Sequence, residues 1–304
     1  MADHHSNVAR SVLAVAAAVT LLATLTTTAL ATTTLSDPPA ADARPAVAVR
    51  PLRAATFNIH HGAGLDGIVD LERIARVVEQ TDAEVVGLQE VDRHWSERST
   101  FVDQATWLAE RLDMYLVFGA NLDLDPLTPG APRRQYGTAI LSAHRIRSST
   151  NTLLPRPASG EQRGLLEGQI KVRGVPVRVF NTHLQHDSQV ERLAQVDRIR
   201  QVLATASESV VLLGDLNATP ETPEIAGLTD LLVDAWVTAG VGDGFTYDAA
   251  TPHARIDYVL SSDGVVARSA AVVTTDASDH LPVVVDLELP GKRFPAGTGE
   301  PAAA

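Results

Sequence analysis

Short apolar runs that stop abruptly at polar residues recur along this chain, and the clearest is VVLLGDLNATP, from Val210 to Pro220. An apolar run of this length closed by glycine predicts a strand buried on both faces. Asp215 and Asn217 follow it two apart, so in extended backbone both would project to one side while Leu216 projects to the other. The same reading predicts strands at 53–58, 84–89, 115–118, 136–141, 147–154, 167–172, 175–181, 256–260, 265–273 and 281–289. Helical spacing of apolar residues predicts helices from an Asp70 cap through Val78, over 104–112 and over 189–204. Residues 121–135, rich in Asp, Pro and Gly, predict a long surface loop, and the stretch after Pro220 shows no readable element before 256.

Strands and helices intermingle without strict alternation, which favours a layered α/β sandwich over a barrel or a doubly wound sheet. No repeat or linker divides the body, so 52–289 is expected to be one domain. Ser11 to Ala31 carries no charged residue and is preceded by Arg10 and closed by Ala29-Leu30-Ala31. This pattern predicts a secretory signal or a retained amino-terminal membrane anchor over 1–31. Either places the body outside the cytoplasmic membrane, secreted or anchored through residues 11–31. Residues 32–51, rich in Thr, Ala and Pro, read as an exposed linker and 290–304 as a disordered tail.

Composition narrows the chemistry. With 45% hydrophobic and 20% charged residues the 304-residue chain is of globular type. A net charge of -12 argues against a strong non-specific grip on a polyanion, which needs clustered Lys and Arg. The chain has no cysteine, so a metal would have to be held by Asp, Glu, Asn or His. Asn58, Glu90, His183, Asp215, Asn217, Asp257, Asp279 and His280 all stand at predicted strand ends. One Asp or Asn after a strand is ordinarily a turn former; such groups at nearly every strand end suggest a site. Carboxylates and amides suit a hard cation, Mg²⁺ or Mn²⁺, whereas zinc would want more histidine in a tighter motif. The stretch 62–67 matches GxGxxG, but the following helix starts only at the Asp70 cap, too far on for glycines that must sit on a helix amino terminus.

In order, FNIHHG (57–62), GLQEVD (87–92), YGTAIL (136–141), NTHL (181–184), LLGDLNATP (212–220), RIDYVL (255–260) and SDHLPVVVD (278–286) resemble the motifs of the endonuclease/exonuclease/phosphatase superfamily. The resemblance implies a DNase I-like fold: a four-layer α/β/β/α sandwich of two packed mixed β-sheets flanked by helices. It further implies Glu90, helped by Asn58, as metal ligand, with Asp279 in a metal or supporting role. Asp215 would orient or deprotonate the attacking water, and Asn217 would fix the water or a phosphate oxygen. His280, oriented by Asp257, and His183 would contact the phosphate. Arg163 and Tyr136 are further candidates for substrate contact. His60 stands where the DNA-repair branch of the superfamily carries an acidic residue. With export and acidity, this favours a lipid headgroup or small phosphodiester as substrate for an expected monomer. A secreted nuclease acting on DNA or RNA and a non-catalytic exported binding module are the alternatives.

Overall fold

The structure, a computed structural model, describes residues 50–291. The readings on the signal or anchor, most of the linker and most of the tail lie outside the described residues. The strands are β1 (Arg50–Asn58), β2 (Val85–Arg93), β3 (Tyr115–Leu124), β4 (Arg134–Ser142), β5 (Ser148–Leu153), β6 (Gly164–Val172), β7 (Val175–His183), β8 (Ser209–Asp215), β9 (Val233–Asp234), β10 (Asp257–Ser261), β11 (Val266–Val272) and β12 (Val283–Leu289). The α-helices are α1 (Leu71–Thr81), α2 (Gln104–Leu112), α3 (Gln189–Leu203), α4 (Pro223–Thr229) and α5 (Ala235–Ala239). The strands form two six-stranded sheets, ordered β11-β12-β1-β2-β4-β3 and β5-β6-β7-β8-β10-β9. Each sheet has one parallel pair, β1 with β2 and β7 with β8, and every other pairing is antiparallel. The parallel pairs are spanned by α1 and α3, because such strands need a crossover. Side-chain carboxylates or hydroxyls cap these helices: Asp70 accepts from Arg73 N, Asp103 from Thr106 N, and Ser188 from Glu191 N.

Alternation along the strands creates the layers. Leu52 and Ala54 of β1 join Val85, Val179, Val211, Leu213, Val259 and Val285 between the two sheets. The intervening Ala55 and Phe57 pack instead with Ile74, Val78 and Leu108 of α1 and α2. On the other outer face Phe180, Val210 and Leu212 pack with Val196, Ile199 and Ile225 of α3 and α4. Three apolar interfaces make four layers, α/β/β/α, as expected from the motifs.

At one end of the sandwich the inward-facing positions turn polar without leaving their phase. Leu52 and Ala54 continue as Thr56 and Asn58; Val177 and Val179 continue as Asn181 and His183; Val211 and Leu213 continue as Asp215. All five of these polar residues are buried. Gly87 lets the sheets approach closely there, since a Cβ on it would stand 2.9 Å from that of Leu213 and 3.0 Å from the Asn181 side chain.

Several elements differ from the sequence reading. The 121–135 loop is largely a hairpin: β3 and β4 remain paired out to Leu124 and Arg134. As an edge strand β3 bears outward polar residues, which imitate loop composition. The short α4 and α5 lie in the stretch left unread after Pro220, too brief to show periodicity. Arg50 and Pro51, read as the end of the linker, pair with Leu289 and Glu288. The glycines of 62–67 precede α1, as argued from the Asp70 cap. Among the described residues no helix is long and apolar enough to cross a membrane.

Because the sheets meet so closely at Gly87, Gly87→Ala should overpack them and cost about 1–3 kcal/mol. Urea denaturation would register this as a lower midpoint at unchanged slope.

Candidate active site

Strand register assembles one row of the site. In the second sheet His183 of β7 lies beside Asp215 of β8, and Asp215 lies beside Asp257 of β10. His280, in the turn before β12, completes the row: its Nδ1 is 2.9 Å from Asp257 Oδ2. From Asp215 Oδ2 it is 3.4 Å to His183 Nε2 and 3.7 Å to His280 Nε2. The first sheet supplies Asn58, whose Nδ2 donates to the same Asp215 Oδ2 at 3.0 Å and to Glu90 Oε1 at 3.1 Å. Asn58 Oδ1 accepts from His60 N at 3.1 Å.

Glu90 is not at a strand exit. β2 runs on to Arg93, and its pairing with β4 shifts between Leu88 and Val91, where an extra residue bulges out. Glu90 itself has φ 58°, a left-handed conformation strained for a residue with a side chain. Asn181 of the other sheet holds the bulge: its Nδ2 donates to Leu88 O at 2.9 Å and Ala139 O at 2.7 Å, and its Oδ1 accepts from Gln89 Nε2 at 2.6 Å. The fully buried carboxamide thus fills the gap that the bulge opens in the ladder.

Two further positions depart from expectation. Asn217 does not project in parallel with Asp215, because its φ is 47°; its N–H donates to Asp215 Oδ1 at 2.9 Å and its Nδ2 to Leu184 O at 3.0 Å. Arg163, expected to reach for substrate, is 3% exposed and spent on neighbours. Its Nη1 lies 3.0 Å from His183 Nδ1 and 3.0 Å from Glu161 Oε1, and its Nε donates to Gln185 Oε1 at 3.3 Å. A guanidinium can only donate, so His183 Nδ1 accepts and its proton sits on Nε2, facing Asp215.

Tyr136 stands on the Glu90 side, its ring 5.8 Å from that of Trp95 and under the Arg98 guanidinium at 5.5 Å. Asp279 Oδ1 is 3.7 Å from His60 Nδ1, outside the buried row. Arg133 and Arg134, which precede Tyr136, bind the hairpin tip: Arg133 pairs with Asp123 and Asp125, and Arg134 Nε donates to Asp125 O.

Burial and charge set the protonation states. Burial raises the Asp215 carboxyl above the usual carboxylate range, against the opposing charge of His280. For His280 burial acts downward, but the Asp257 and Asp215 carboxylates outweigh it and raise the imidazole well above its ordinary value. Burial, then the Arg163 charge, lowers His183 well below that value, which keeps it neutral. The Tyr136 hydroxyl is raised by burial and by the charge of Glu90. The site therefore offers an ionisable carboxyl between one cationic and one neutral imidazole, beside a half-buried carboxylate.

A sequence model of the endonuclease/exonuclease/phosphatase family matches residues 55–280, a span that contains this whole arrangement. The chain belongs to the endonuclease/exonuclease/phosphatase family. The three activities in that name are all hydrolyses of phosphoric esters. An endonuclease/exonuclease/phosphatase structure from Beutenbergia cavernae is 30% identical and superposes with a TM-score of 0.68 over 80% of this chain and 72% of that one. A mannosyl-6-phosphatase structure from Bacteroides thetaiotaomicron, 18% identical with a TM-score of 0.64, covers 78% of this chain and 99% of that one and shows the common fold. A 5'-tyrosyl-DNA phosphodiesterase from Caenorhabditis briggsae is 28% identical over 188 residues, 58% of this chain and 47% of that protein. The chain spans at most about half the length of the curated relatives it matches.

The endonuclease/exonuclease/phosphatase family is generally dependent on a divalent metal, and the donors here fit one. Glu90 and Asp279 offer carboxylate oxygens, Asn58 between Glu90 and His60 N offers an amide oxygen, and no thiolate is present.

Sequence reasoning missed the supports of this family site. Ser278 Oγ donates to Asn58 O at 2.8 Å and accepts from His280 N at 3.2 Å, tying the last motif to the first. Thr246 Oγ1 accepts from Asp257 N at 3.4 Å, and the Tyr247 ring lies 4.9 Å from that of His280. Ser278 and Asn181 sit inside the motifs SDH and NTHL, one or two residues from side chains already expected in the site, which was a usable signal. Thr246 and Tyr247 come from a loop with no pattern.

The Asp257 carboxylate is the largest of the influences that hold His280 protonated. Asp257→Asn should therefore lower the His280 titration midpoint in imidazole NMR and move the alkaline limb of the pH–rate profile to lower pH.

Proposed function

We propose that the chain is a divalent-metal-dependent phosphodiesterase acting on a lipid headgroup or small phosphodiester by in-line attack of an activated water. The observation that carries this reading is the convergence on Asp215 Oδ2 of Asn58, His183 and His280, with Glu90 joined through the same Asn58 amide. Asp215 takes the proton of the attacking water; burial has brought its pKa toward the range in which a carboxyl both ionises and accepts a proton effectively. His280, cationic through Asp257, offsets charge on the phosphoryl oxygens, and His183 donates from Nε2. Asn217, fixed between Asp215 and Leu184, holds this edge of the site in place. Glu90 with Asn58, supported by Asp279, would hold Mg²⁺ or Mn²⁺. Such an ion, when bound, would supply Lewis-acid neutralisation of the phosphoryl oxygens. Tyr136 and the neighbouring Trp95 give the Glu90 side an aromatic wall for the departing group.

The net charge of -12 supports a small or membrane-borne substrate over a long polyanion. A second reading, cleavage of an aryl ester at a DNA end, draws on the likeness to the tyrosyl-DNA phosphodiesterases. Export, with release by signal cleavage or retention through residues 11–31, is part of the first reading.

Purified protein should hydrolyse bis-p-nitrophenyl phosphate with added Mg²⁺ or Mn²⁺ and lose this in excess EDTA. Asp215→Ala should lower kcat by about 10²–10⁴, the usual worth of a general base. Turnover that survives either treatment would refute the mechanism. A parallel screen of sphingomyelin, glycerophospholipids, phosphoinositides, DNA, RNA and a 5'-tyrosyl oligonucleotide, with Glu90→Ala as blank, separates the two substrate readings. Export is tested apart: residues 1–50 fused to a periplasm-dependent reporter should yield active reporter, and an inactive, intracellular fusion would count against it.

A further inference from the structure

The hydrolytic arrangement leaves unused the two imidazoles on the turn that follows β1. One ring nitrogen of His60, one of His61 and a Glu90 carboxylate oxygen all lie within 4.8 Å of one another. The rings meet edge to face with centroids 4.6 Å apart. Nδ1 of each is buried with no hydrogen-bond partner, although buried polar atoms are rarely left so. Asp279 Oδ1, 3.7 Å from His60 Nδ1, adds a second negative charge at the edge of the group. The neighbouring cation, Arg98, is committed to Asp92 through two hydrogen bonds of 2.9 and 2.7 Å.

We propose that His60, His61 and Glu90 form a second divalent-metal position, beside the oxygen-lined one assigned to Glu90 and Asn58, which takes a borderline transition ion such as Zn²⁺ or Co²⁺. Imidazole nitrogen suits these ions, whereas Mg²⁺ prefers oxygen and retains its water. As metal ligands imidazoles bring no charge of their own, so Glu90, shared between the positions, supplies it directly and Asp279 from beside it. The backbone supports the arrangement: Gln104 Nε2 donates to His61 O at 2.7 Å and Asp70 N to Gly62 O at 2.9 Å, which fixes the turn on α1 and α2.

The probe is Co²⁺, titrated into the full chain in saturating Mg²⁺ and followed by visible absorption and by paramagnetically shifted imidazole N–H signals. Wild type should take up one Co²⁺ per chain with a nitrogen-ligated spectrum. His60→Asn/His61→Asn should bind it more than about tenfold less tightly, since losing an outer partner alone costs that much. Asparagine is chosen because both positions have φ 45°, which it tolerates. If the double variant melts early without metal, His61→Asn alone and the shifted N–H signals of wild type decide the matter. Displacement of Co²⁺ by Mg²⁺, equal uptake by the variants, or uptake undiminished in Glu90→Gln would overturn the site. Hydrolysis in Mg²⁺ without imidazole-bound Co²⁺ sinks this proposal and leaves the phosphodiesterase reading intact; imidazole-bound Co²⁺ in a protein that hydrolyses nothing does the reverse.

Discussion

Two carboxamides, Asn181 and Asn58, bridge the two sheets of this molecule, and Asn58 does so within the site itself. Asn58 belongs to the first sheet, yet its Nδ2 lies within hydrogen-bond distance of Glu90 of its own sheet and Asp215 of the other. The contact exists only because the sheets pack face to face closely enough for a short side chain to span them. That spacing in turn rests on small residues and on continuous apolar packing from Leu52 to Val285 behind the site. The apolar interior fixes where the sheets lie, and its polar end inherits the precision.

The polar end is costly to build. Asp215, His183, Asp257 and His280 are all nearly inaccessible, and a carboxylate taken from water needs compensation. Compensation comes from the pairing of His280 with Asp257, from the Arg163 guanidinium donating to the neutral His183 ring, and from backbone N–H groups aimed at carboxylates, as Asn217 N is at Asp215. These partners also determine which proton sits where. A neutral imidazole and a cationic one stand on either side of a single carboxyl, although the two are the same residue type, because one faces a guanidinium and the other a carboxylate.

Much of this was legible in the sequence, since strand phase is a period of two and needs no tertiary information. The inward set of β8 could be read from Val211, Leu213 and Asp215, and the helix starts from Asp70 and its followers. The motifs identified the residue types of the buried row. What escaped reading was whatever depends on a partner far along the chain. Arg163 looked like a surface arginine in a turn, because the residues that bury it, His183 and Gln185, lie about twenty positions further on. Asn217 looked extended because nothing local announces φ 47°. Glu90 looked terminal because a bulge leaves no compositional mark beyond a break in alternation, and that break coincides with the expected end of the strand.

The bulge in β2 makes chain length, rather than residue identity, the variable that places Glu90. Side chains in a strand alternate, so one residue more or less reverses the face of everything beyond it. With Gln89 pointing inward to Asn181 and Glu90 turned out of phase by its left-handed backbone, the strand delivers adjacent residues to the same polar end, one to the support and one to the opening. Shortening β2 by one residue there would restore an unbroken ladder with β4, and the more regular sheet would be the one without a site. A loop or strand graft carrying the letters GLQEVD onto a regular scaffold would inherit the carboxylate but not its aim.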